Sequence, residues 1–157
     1  MKTLITYASK YGCAADCAAH LKDQLSSNVT MVDINKSDQK IELENFDTII
    51  IGGSIYAGQL YSKELRTFCK NHVDDLIKKN IGLFICCAQP DTSDLFAKNF
   101  PPKLLEHAKT TMTFGSEARL EEMKFIDKTI LKAVTKGDFS SFKISHDNIK
   151  KFAKIFN

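Results

Sequence analysis

Three short segments carry residue types that could hold a charged, planar ligand. The first reads Ser9-Lys10-Tyr11-Gly12-Cys13-Ala14 and stands directly before a stretch of helical period. A helix starting there offers unpaired backbone N–H groups and the positive end of its dipole, an anion site to which Lys10 adds a full charge. Gly12 is equally suited to a tight strand-to-helix turn. The second segment, Gly52-Gly53-Ser54-Ile55-Tyr56-Ala57-Gly58-Gln59, is glycine-rich enough for its backbone to approach a flat ring, which Tyr56 could cover. The third, Ala88-Gln89-Pro90-Asp91-Thr92-Ser93-Asp94, is polar and turn-forming. Gln89 both donates and accepts hydrogen bonds, which suits a pyrimidine-like edge.

Several chemistries are excluded by what these segments lack. The first has neither the Gly-Lys-Ser/Thr of a Walker A loop nor G-x-G-x-x-G. The acidic residues of a phosphoacceptor site are missing at Tyr7-Ala8 and Gly52-Gly53. Cys13 at a helix start could be acidified, yet no arginine or histidine follows in the loop to build a cysteine phosphatase. Five cysteines with no C-x-x-C pair argue against a disulfide framework and for a reducing compartment. Four scattered histidines give no reason to expect a metal. Cys86 and Cys87 read as core volume, one on each face of a strand.

The elements that must position these segments follow from apolar patterning. Strands are expected at residues 4–7, 29–34, 48–51, 81–88 and 110–114, the third and fourth without polar alternation, as central strands covered on both faces require. Helical stripes lie between them: Ala14, Cys17, Leu21 and Leu25; Leu65, Phe68, Val73 and Leu76 after a Ser62 N-cap; Met123, Ile126, Ile130 and Val134 before Gly137; and Ile149, Phe152 and Phe156. Residues 35–45 are expected to form a loop or short helix, and a short helix is expected at residues 103–107 after Pro101-Pro102. This alternation predicts a single α/β domain over residues 1–157. Its doubly wound sheet would have five parallel strands, with ligands beyond the strands' carboxyl ends.

Charge is uneven along the chain. Residues 1–97 hold ten basic and twelve acidic side chains, and residues 98–157 hold twelve and seven. The basic part, with Arg119, Lys124, Lys128, Lys132 and Lys136, is either a solvated lysine face or a surface for an anionic membrane or acidic partner. A net charge of +3 without aromatic–basic interleaving gives no basis for nucleic-acid binding. With no apolar run of membrane-spanning length and no signal-like start, a cytoplasmic protein is expected, with peripheral membrane association through the basic part as the variant.

The opening MKTLITYASKYG, the segment IIIGGSIYAG and the order of elements resemble the flavodoxin family across nearly the whole chain. The stretch from Gly115 to Lys132, with Arg119, Met123, Asp127, Lys128 and Lys132, is similar to the flavodoxin-domain group that includes menaquinone-dependent protoporphyrinogen IX dehydrogenases. The resemblance implies a three-layer flavodoxin-like fold with strand order 2-1-3-4-5, FMN as cofactor, and a role in electron transfer or oxidoreduction. A redox protein or a quinone would be the partner. It also implies that Ser9, Lys10, Tyr11, Gly12, Cys13 and Ala14 hold the phosphate. Ser54, Ile55, Tyr56, Ala57 and Gly58 would face the isoalloxazine ring, with Ala88, Gln89, Pro90 and Asp94 at its other side or its pyrimidine edge. The phosphate loop departs from the family's T-x-T-G-x-T, keeping one of three hydroxyls, and each lost hydrogen bond weakens binding by about 0.5–1.5 kcal/mol. Other readings are a soluble FMN carrier without its own substrate and a cofactor-free interaction module.

Overall fold

Runs of isoleucine and leucine with a period of two can be buried on both faces only if helices cover both sides of the sheet. The computed structural model, which describes all 157 residues, shows that arrangement. Parallel strands β1 (Lys2–Ala8), β2 (Asn28–Asp33), β3 (Thr48–Tyr56), β5 (Asn80–Cys86) and β6 (Thr110–Thr113) lie in the order β2-β1-β3-β5-β6. This is the expected five-strand order, renumbered because a two-residue strand, β4 (Gln59–Leu60), pairs antiparallel with the end of β3.

Leu4, Ile49, Ile51, Leu83 and Ile85 point to one face and meet Leu65 and Phe68 of α2 (Lys63–Asn71), Leu76 of α3 (Val73–Leu76), Leu95 of α4 (Ser93–Asn99) and Leu104 of α5 (Pro102–His107). Ile5, Ile50 and Phe84 point to the other face, against α1 (Cys13–Gln24) and α7 (His146–Phe156). There Phe84 stacks on Phe114 at 4.6 Å, and Phe152 meets Phe114 edge-on at 5.2 Å. Cys86 lies in this second core, while Cys87 packs against the first, one on each side as expected.

Local signals explain the element ends. Ser62 Oγ accepts from the Leu65 N–H at 3.0 Å and caps α2. The helix read as continuous through residue 77 breaks at His72 into α2 and α3. Residues 35–45 contain only a three-residue 3-10 turn at Leu43–Asn45. Helix α6 (Phe125–Thr135) stops at Lys136 and Gly137, both at positive φ.

Helix α6 is set differently from the other helices. The stripe Ile126, Ile130 and Val134 joins neither core: these residues are 69%, 57% and 77% exposed, and Phe125 is 82% exposed. The helix turns Asp127, Leu131 and Thr135 toward the protein and its apolar side toward solvent. A periodic stripe shows that a helix has an apolar face; it carries no information on which way that face points. No helix is long and apolar enough to cross a membrane.

Candidate functional site

The register of the sheet brings the three segments to one edge. Ala8 lies beside Gly53, and Ser54 lies beside Cys86, so the connections leaving β1, β3 and β5 emerge side by side at the carboxyl ends of the strands.

The first connection makes a compact turn. Ser9 is buried, and its Oγ accepts from the Gly12 N–H at 3.0 Å. Gly12 sits in the left-handed region at φ 93°, the conformation that glycine adopts without cost. No side chain caps α1, so its first-turn N–H groups remain available to an anion. The side chains of Cys13 and Ala14 are buried in the core beneath α1. Only their backbone can serve as assigned.

Cys13, Cys17 and Cys86 bring their sulfurs within 4.8 Å of one another beneath this turn, a cluster that scattered cysteines did not foretell. Hydrogen bonds from the Cys17 and Cys86 thiols, from the Glu117 backbone and the nearby Arg119 charge lower the Cys13 pKa, while Cys17 and Cys86 are pushed up.

Lys10 and Tyr11 turn toward α6. Lys10 Nζ pairs with Asp127 Oδ2 at 2.6 Å, and the Tyr11 hydroxyl donates to the same oxygen. The ammonium stands 5.4, 4.6 and 5.4 Å from the ring centroids of Tyr11, Tyr56 and Tyr61. Burial disfavours the charge on Lys10, but the hydrogen bond and charge of Asp127 outweigh it and raise its pKa. The same contacts lower that of Asp127. Burial raises the Tyr56 pKa, with the neighbouring Tyr11 and Asp127 adding to it. The charge expected over the helix N-terminus is therefore held at Asp127 in this structure. The cation on the turn is Arg119, whose Nη1 donates to the Tyr11 carbonyl at 3.2 Å and whose Nη2 pairs with Asp16 and Glu117.

The second connection is a β-hairpin rather than an open glycine loop. Ile55 pairs with Leu60 and Tyr56 with Gln59 across a two-residue turn, Ala57 at φ 49° and Gly58 at φ 77°. Ser54 and Tyr56 are half-buried, whereas Ile55 packs against the core and away from the edge. Gly52 and Gly53 are strand residues, and a Cβ on Gly52 would lie 2.3 Å from the Phe84 ring. Close packing accounts for that glycine. In the third connection, Ala88 is half-buried and Gln89 and Pro90 are exposed, and Asp94 is exposed in the first turn of α4, a helix that the polar sequence did not announce. No hydrogen bond joins this connection to the first two.

A model of the flavodoxin domain matches residues 4–143. The chain belongs to the flavodoxin family. Its fold is similar to oxidised flavodoxin 1 from Bacillus cereus (18% identity, TM-score 0.62, covering 99% of this chain and 97% of that one). A flavodoxin from Streptococcus pneumonia TIGR4 matches with 14% identity, TM-score 0.61 and coverage of 99% and 97%. One from the domain Archaea matches with 15% identity, TM-score 0.56 and full coverage of both chains. No curated protein matches the sequence.

Membership in the flavodoxin family implies FMN, and the residues of this flavodoxin domain fit it. The α1 N-terminus lacks a side-chain cap, and Gly12 leaves space that a Cβ would fill 2.4 Å from Arg119 Nη1. The donors there are amides, a hydroxyl and a guanidinium, a set made for phosphate oxygens. Sequence reasoning missed Tyr61, Arg119 as a residue that packs on the first connection, and Asp127 as the partner of Lys10.

Proposed function

We propose that this flavodoxin domain binds FMN across the first and second connections and works in electron transfer. The observation that carries the reading is the uncapped α1 N-terminus beside the Tyr11–Tyr56–Tyr61 cluster, an anion site next to aromatic surface. When bound, FMN supplies the redox chemistry, and the protein supplies position and electrostatics. The first-turn amides of α1 hold the phosphate, and Ser9 contributes its hydroxyl. Tyr56 covers the ring, and the backbone of Ser54, Ala57 and Gly58 lies at its rim, with Gln89 beside it. Titration of the purified protein with FMN tests this, with a saturable shift of the flavin absorbance as the expected result.

The finer reading is oxidation of a porphyrinogen with a quinone as electron acceptor at a membrane surface. The outward apolar side of α6 favours it over a freely diffusing carrier, because Phe125, Ile126, Ile130 and Val134 have no partner in the fold. Lys124, Lys128, Lys132 and Lys136 add the positive charge that anionic lipid headgroups or the carboxylates of a porphyrinogen would meet. Porphyrinogen oxidation with a menaquinone analogue by the FMN-loaded protein in anionic vesicles is the assay. Turnover supports the dehydrogenase, and FMN binding without turnover leaves the carrier. FMN binding together with co-sedimentation on anionic but not neutral vesicles supports the membrane surface. Absence of flavin binding would leave the cofactor-free module.

A further inference from the structure

The phosphate turn has lost two of the hydroxyls that its family uses, and the structure puts a guanidinium in their neighbourhood. Arg119 comes from the connection between β6 and α6, more than a hundred residues away in sequence. Its Nη1 lies 2.4 Å from where a Cβ of Gly12 would stand, so the guanidinium rests directly on the bare backbone of the turn. Gly12 is favoured there by its left-handed backbone, and it leaves the space that this side chain occupies.

The polar contacts of Arg119 are Nη1 to the Tyr11 carbonyl at 3.2 Å, Nη2 to Asp16 Oδ2 at 2.5 Å and to Glu117 Oε2 at 2.8 Å, and Nε to Glu117 Oε2 at 3.0 Å. The Arg119 side chain is only 22% exposed, whereas those of Asp16 and Glu117 are 52% and 42% exposed. Ion pairs with carboxylates so open to solvent are worth little, so exchanging one for a phosphate costs little. A planar fork facing a phosphate gains two parallel charge-assisted hydrogen bonds, which a hydroxyl cannot match.

We propose that Arg119 is a phosphate-recognition residue of the FMN site, which takes over the task of the missing hydroxyls and makes the site select FMN over riboflavin. The inference rests on the FMN reading. In the bound state the guanidinium trades Asp16 or Glu117 for phosphate oxygens, while its Nη1 bond to the Tyr11 carbonyl keeps it on the turn. Asp16 and Glu117 hold the fork in place until the anion arrives. Lys10, paired with Asp127, is not needed for this contact.

The test compares FMN and riboflavin binding to the wild-type chain, R119Q and R119K by quenching of flavin fluorescence. Loss of a charged hydrogen-bonding partner should weaken FMN binding at least about tenfold in R119Q. Riboflavin binding should stay within about twofold, and R119K should fall between, since it keeps the charge and loses the fork. Unchanged FMN affinity in R119Q overturns the proposal, as does equal weakening of FMN and riboflavin, the mark of a merely structural role. A second readout does not depend on the flavin. Inorganic phosphate titrated into the full chain should move the Nε–H NMR resonance assigned by its disappearance in R119Q. Failure to bind either flavin with that resonance responding to phosphate would defeat the FMN reading while supporting the anion contact. Failure to bind either flavin with no response defeats both.

Discussion

Asp127 shows what one carboxylate can do when it arrives from a distant part of the chain. It accepts from both Lys10 and Tyr11, and the Tyr11 hydroxyl in turn accepts from the Lys124 N–H, so three polar contacts fasten the start of α6 to the first connection. Because those donors favour the charged carboxylate, its pKa lies below the ordinary value. A depressed carboxylate pKa stabilises the fold above the unfolded value of about 3.9, and that stabilisation is lost as pH falls through the folded value. Asp127→Asn should therefore lower stability by about 1 kcal/mol near neutrality. The gap between the variant and the wild type, read from urea midpoints, should close as pH drops below about 4. A gap that persists in acid would assign the effect to packing. Gly52→Ala probes a residue whose role is spatial. The added methyl would meet the Phe84 ring, and overpacking there should cost about 1–3 kcal/mol, measured by chemical denaturation.

At the scale of elements, α6 is the exception among the helices. Its inward side is polar or half-buried and its outward side is apolar, the reverse of a helix that helps to build a core. Replacing Ile126 and Ile130 by serine should leave the denaturation midpoint within about 0.5 kcal/mol of the wild type, because neither side chain is buried. The same double variant should lose most of its co-sedimentation with anionic vesicles. Retained binding would move the contact elsewhere. The strands were legible because a parallel sheet covered on both faces demands uninterrupted apolar runs, and residues 48–51 and 81–86 supply them. The hairpin at Ala57 and Gly58 was not, since alanine at positive φ has no sequence signature and Gly52-Gly53 suggested an open loop. The Arg119 and Asp127 contacts were hidden for another reason. Each pairs residues more than a hundred positions apart, which local spacing cannot reveal.

For the molecule as a whole, the two cores and the sheet they cover serve to bring three connections to one edge. The first two meet around the Lys10 ammonium and its tyrosines, and the third leaves beside Ser54. That edge combines an uncapped helix start, aromatic surface and a guanidinium, and the basic, outward-apolar α6 is fastened next to it. A redox group held there would sit close to whatever surface α6 touches. The claim on which this rests is that the edge binds FMN. An absorbance and fluorescence titration of the flavin-free protein with FMN tests it most directly. One equivalent should bind with a shifted flavin band and quenched emission, whereas an unperturbed spectrum at tens of micromolar FMN would contradict the account.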